Sequence, residues 1–138
     1  MKKTIISAAL MLVSMVTYAQ QEQKPFKGYF ANDDLEVYLH IDLYEDMNIP
    51  EHELLGPLPG YLAKKRNGFY WLITEASIKN NKATVEFIND YGSEDLTATF
   101  HFANDSTLVL EQKNGSPIKV PKDGKWFKLP SKIKFTRR

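Results

Sequence analysis

Between Leu35 and Tyr44 apolar and polar residues alternate without a break. Leu35, Val37, Leu39, Ile41 and Leu43 fall on one side of an extended chain, and Glu36, Tyr38, His40, Asp42 and Tyr44 on the other. A helix scatters both sets around its axis; only a strand separates them, one face buried and one wet. Leu96, Ala98, Phe100 and Phe102 alternate in the same way with Thr97, Thr99 and His101. Turn formers punctuate such runs about every 9 to 13 residues: Asn67-Gly68, Asn80-Asn81, Asp90 to Ser93, Asn104-Asp105, Asn114-Gly115 and Asp123-Gly124. Short strands at this spacing predict an all-β domain, a barrel or a sandwich.

The predicted strands are 27–31, 35–44, 61–65, 69–78, 83–88, 96–102, 106–112, 125–129 and 133–136. The run Phe69 to Ile78 is rich in β-formers but alternates poorly. One region breaks the pattern. Pro50, the acids Glu51 and Glu53 and the closing Gly56 predict a short helix near residues 49–55, placed at one mouth of the barrel. The acid-rich stretch after Val85–Ile88 reads as a turn: Asp90 opens it and Gly92 supplies its flexible position. An EF-hand calcium loop needs oxygen ligands at alternate positions and a closing Glu, and this spacing provides neither.

The first residues predict a compartment. Lys2 and Lys3 precede an apolar run from Ile5 to Val16, and Thr17-Tyr18-Ala19 offers a cleavage site. This is the order of a secretory signal peptide over residues 1–19, cut after Ala19. The apolar run is shorter than the roughly 20 residues of a membrane span, so no stable membrane anchor is expected. Residues 20–138 then form one domain in the periplasm or outside the cell. The chain has no cysteine, which removes disulfides, thiol catalysis and zinc–thiolate sites.

Charge is unevenly spread. Gln20 to Gly60 carries nine acids and two lysines; Lys113 to Arg138 carries nine basic residues and one acid. If the last strand pairs with an early one, the basic end meets the acids between Asp33 and Asp46. The mixed basic and aromatic segment Gly124 to Arg138 is of a kind found at single-stranded nucleic-acid sites. An exported protein does not meet that ligand in its work, so no nucleic-acid partner is expected.

Catalytic patterns are lacking. His40, His52 and His101 are the only histidines, in neither His-x-His nor His-Glu-x-x-His spacing. His40, Asp42 and His101 would make a two-histidine, one-carboxylate metal site only if their strands were adjacent. No Gly-x-Ser-x-Gly elbow or phosphate-cradling glycine loop is present. Asp33-Asp34, Glu45-Asp46 and Glu94-Asp95 are sequence neighbours, which point to opposite faces of a strand. No enzyme activity, metal or cofactor is expected. Aromatic residues with polar neighbours hold apolar or glycan-like ligands well. That makes Tyr38, His40, Tyr44, Tyr70, Trp71 and Trp126 the candidate ligand-binding set.

Three short matches carry a family resemblance. Gly28-Tyr29-Phe30 on the first strand resembles the Gly-x-Trp motif of lipocalins, with phenylalanine in place of tryptophan. Asn89-Asp90-Tyr91 resembles their Thr-Asp-Tyr motif. Arg137 or Arg138 resembles the last-strand arginine that packs on the first motif. The resemblance implies a small exported calycin-type meander barrel of about eight antiparallel strands that carries a ligand. The expected function is therefore non-catalytic binding of a small apolar or glycan-like ligand. The alternative is a protein-interaction or inhibitor module of the cell envelope with a solid core.

Overall fold

The computed structural model describes residues 24–138, so the leader expected over residues 1–19 lies outside the described residues. Ten strands form: β1 (Lys27–Asn32), β2 (Val37–Asp42), β3 (Gly60–Lys64), β4 (Tyr70–Lys79), β5 (Lys82–Asn89), β6 (Asp95–Asn104), β7 (Thr107–Gly115), β8 (Lys119–Lys122), β9 (Lys125–Lys128) and β10 (Lys132–Arg137). Eight of them close an antiparallel barrel in the order β1-β10-β7-β6-β5-β4-β3-β2, and β8-β9 form a separate hairpin. The all-β meander barrel is thus present, not the sandwich. β8 was not anticipated, because Pro121 interrupts its short pattern.

Inward positions follow the alternation. Val37, Leu39 and Ile41 are fully buried, as are Phe30, Leu62, Trp71, Phe100 and Phe135. Phe26 and Phe30 both pack against Phe102 and close one end, with ring centroids 5.3 and 6.1 Å apart. The hairpin fills the other end. Ile118, Val120 and Leu129 are buried in the same cluster as the inward barrel residues. The Trp71 indole N–H donates to the Lys119 carbonyl at 2.8 Å and fixes the hairpin to the barrel wall. Inward side chains of all eight barrel strands and of the hairpin form one buried cluster. One hollow in the surface is lined by Gln112, Gly115 and Lys128, and another by Asn81, Thr84 and His101; neither is lined by Trp71 or by any phenylalanine.

The poor alternation of β4 has two causes. Ile73 pairs with Phe87 but Glu75 with Glu86, so Thr74 is a bulge and the inward phase switches from Trp71 and Ile73 to Ala76 and Ile78. Tyr70 and Leu72 face outward yet are buried, because a second cluster covers the outside of the barrel. Its cover is the β2–β3 connection, residues 43–59, which brings the buried Ile49 and the partly buried Met47 and Leu58 onto Tyr61, Ala63, Tyr70 and Leu72. This strap holds a 3-10 turn, Glu53–Leu55, where the short helix was expected. It lies along the barrel wall and not over a mouth.

The turns divide by chemistry. Asp123-Gly124 has positive φ at both positions (53° and 76°) between the paired Lys122 and Lys125, the geometry of a tight hairpin turn. Asn114-Gly115 does not turn the chain; it ends β7, where Gly115 pairs with Leu96 beside a register shift. A Cβ on Gly115 would stand 2.5 Å from the Asp95 carbonyl oxygen.

Candidate functional site

Register alone assembles an aromatic row on the outer wall. Tyr29 pairs with His40 and His40 with Tyr61, so all three face outward on neighbouring strands. The Tyr29 and His40 rings stack at 3.8 Å, and Tyr61 meets His40 edge-on at 5.7 Å. Tyr61 stacks on Tyr70 at 4.5 Å, and Tyr38 meets Tyr61 edge-on at 6.0 Å. His52 of the strap stacks on Tyr70 at 5.2 Å and ends the row.

The two histidines of this row are set up oppositely. His52 Nδ1 lies 2.8 Å from the Pro50 carbonyl and Nε2 lies 2.6 Å from Asp90 Oδ1. Both ring nitrogens face acceptors, so only the doubly protonated ring satisfies both. Burial by itself lowers the His52 pKa, but the Asp90 and Pro50 hydrogen bonds and the charges of Asp90 and Glu51 outweigh it and raise the value. His40 Nδ1 is buried with no partner. Burial lowers the His40 pKa, and Asp42 only partly offsets this. Burial, reinforced by Tyr38, likewise pushes the Tyr61 and Tyr70 phenols up, so both stay protonated and neutral. Desolvated neutral phenols beside a neutral imidazole are packing groups.

Of the six candidate ligand-binding residues, the structure brings Tyr38, His40 and Tyr70 together in this row. Tyr44 stands apart, 40% exposed, its hydroxyl accepting from the Phe26 N–H at 3.1 Å. Trp71 is sealed inside the barrel with no exposed surface. Trp126 is on the hairpin. Asp42 caps the turn after β2: its Oδ1 accepts from the Tyr44 and Glu45 N–H groups at 3.1 and 3.0 Å. His40 on β2 and His101 on β6 lie on strands that are not neighbours, so the two-histidine site has no geometry. Among the described residues no three His, Asp or Glu side chains gather as a metal site.

The stretch opened by Asn89 is a turn. The Asn89 side-chain oxygen accepts from the Ser93 and Glu94 N–H groups at 2.9 and 3.2 Å. Asp90 is committed to His52, and Tyr91 projects outward, 72% exposed. Beside it stand Phe69, at 5.3 Å, and Trp126, at 6.4 Å, with Phe69 to Trp126 at 4.9 Å. Trp126 is 52% exposed, and Phe127 next to it is also exposed. This end, around the plugged mouth, holds Tyr91, Trp126 and Phe127, three of the five exposed aromatic side chains among the described residues. Tyr91, Phe69 and Phe127 are not among the candidate ligand-binding residues read from sequence, where Tyr91 figures only in the Asn89-Asp90-Tyr91 resemblance.

The basic C-terminal segment meets acids in part. Arg138 pairs with Asp33, while Lys119 pairs with Glu94 and both Lys113 and Lys132 with Glu111. Among the described residues no carboxylate lies within ion-pair distance of Lys122, Lys125 or Lys128.

No helix among the described residues is long and apolar enough to cross a membrane. No family model matches the chain, and neither a curated protein nor a solved structure does.

Proposed function

We propose that the protein is an exported, non-catalytic binding protein with a solid core, acting through the aromatic end of its barrel and not through its interior. The carrying observation is the exposed pair Tyr91 and Trp126, seated on the buried Phe69 ring, with Phe127 exposed beside them, on a barrel whose mouth the hairpin already fills. Monomeric proteins seldom leave clustered aromatic rings in water without a use for them. Trp71, the interior member of the candidate ligand-binding set, is spent on holding the plug. The lipocalin-like reading draws support from the barrel seam, where Arg137 of β10 stacks on Phe30 of β1. In this reading the barrel is a rigid stand and the loops at one end do the binding.

Native mass spectrometry of residues 20–138, purified from the protein's own host, tests the claim. The bare polypeptide mass is expected. A reproducible extra mass of small-molecule size, lost on denaturation, overturns the solid-core reading and restores an interior ligand.

A further inference from the structure

The exposed end joins three separate segments. The β8–β9 hairpin presents Trp126 and Phe127, and all four residues of β9 are exposed. The turn after β5 presents Tyr91. The strap presents Leu54, whose side chain is as open as in an isolated peptide (104% exposed), and Leu55. The 2.6 Å contact of His52 with Asp90 ties the strap's tip to the Tyr91 turn, and the Tyr91–Trp126 contact ties that turn to the hairpin. None of the outward side chains of β9 contributes to the core.

The charge beside these side chains is mainly basic, with the Glu36 carboxylate near enough to Lys122 to feel its charge. Lys122, Lys125 and Lys128 surround Trp126 and Phe127, and among the described residues none has a carboxylate within ion-pair distance. Lys122 instead lies over the Phe127 ring at 5.2 Å. Asp123 is the one acid in the hairpin, while the strap's tip carries Glu51 and Glu53.

We infer that this end docks on an anionic lipid surface, with the hairpin leading and the more acidic strap following at the edge. This rests on the reading that the aromatic end is the binding end. Tryptophan settles at the boundary between headgroups and acyl chains, and lysine stems extend along apolar surface while the ammonium stays with the phosphates. Protruding apolar tips with unpaired lysines behind them match that layered medium. A protein partner of the same charge would instead be expected to seat Trp126 in a pocket of its own.

The two tryptophans make the test direct, because Trp71 is sealed and Trp126 is exposed. Residues 20–138 are mixed with vesicles of phosphatidylcholine plus phosphatidylglycerol, or of phosphatidylcholine alone. Expected are co-flotation with the mixed vesicles, a shift of tryptophan emission to shorter wavelength, and quenching by brominated lipid that Trp126→Phe removes. The combined Lys122→Gln, Lys125→Gln and Lys128→Gln variant should lose on the order of a hundredfold in partitioning, about fivefold per lysine. Leu54→Ser should lose less than Trp126→Ser. Added salt should weaken binding of the unaltered protein, a readout independent of any variant's folding. No partitioning onto the mixed vesicles, or equal partitioning onto both kinds, overturns the inference.

A photo-reactive benzoylphenylalanine at position 91 in the host separates this failure from that of the underlying reading. A protein adduct with vesicles unbound overturns the lipid partner and leaves the binding end standing. No adduct of any kind, with vesicles unbound, overturns both.

Discussion

The guanidinium of Arg137 lies 4.6 Å over the ring of Phe30, its direct cross-strand partner at the seam where the last strand meets the first. The same group donates to the Lys27 carbonyl at 2.9 Å and the Pro25 carbonyl at 2.8 Å. A planar fork can make both bonds while stacking; an ammonium cannot. Arg137→Lys is therefore expected to destabilise by about 1–3 kcal/mol, from lost charged hydrogen bonds and stacking. Denaturant unfolding measures this, and an unchanged midpoint would remove Arg137 from the account of closure.

The two histidines of the outer row should titrate in opposite directions from 6.5, the ordinary histidine value. Folding raises the His52 pKa, so its contribution to stability is complete below pH 6.5 and fades as pH rises through the raised folded value. Folding lowers the His40 pKa, so its contribution is complete above pH 6.5 and fades as pH falls through the lowered value. NMR titration should place the His52 inflection above 6.5 and the His40 inflection below it. Asp90→Asn should bring His52 down and leave His40 in place. A His52 inflection below the ordinary value in the unaltered protein would show that the Asp90 tie does not form in solution.

Trp71→Phe keeps a ring in the barrel but deletes the donor to the Lys119 carbonyl. The expected cost is about 1–3 kcal/mol, since the part-buried hydrogen bond loses its donor. Proteolysis should then cut first in the β8–β9 hairpin, whose hold on the barrel is weakened. Unchanged cleavage there would mean that Ile118, Val120 and Leu129 anchor the plug without the indole.

Gly115→Ala tests the end of β7. Gly115 has φ of 112°, and the added Cβ would meet backbone atoms of Asp95 and Leu96 at 2.5 and 2.7 Å. Backbone neighbours yield poorly, so a loss of at least about 2 kcal/mol is expected by thermal or denaturant unfolding.

Period-two alternation made the architecture legible, because inward and outward faces meet different media. It failed where that premise failed. The strap makes the outer face of β2–β4 a second interior, so Tyr70 and Leu72 blurred a pattern that Trp71 and Ile73 otherwise followed. Thr74 then shifted the phase. Tyr38 and His40 were legible as one outward face of a single strand, but Tyr70 joins them only through strand register, and its neighbour Trp71 has the inward parity. The link from His52 to Asp90 was not legible, since it depends on where a long connection folds back, and no local spacing encodes that. Asn114-Gly115 misled because one dipeptide serves both a hairpin turn and a close backbone approach.

The seam between β1 and β10 has a consequence in time. Its guanidinium bonds join residues 110 and 112 positions apart, and closure waits on the slowest encounter the chain has to make. Until β10 arrives, β1 and β7 are the open edges of a seven-stranded sheet, each able to recruit a foreign strand. β10 is thus the strand that ends this exposure, and a chain cut short before Lys132 would spend its life in the sticky state that the closed barrel has left behind.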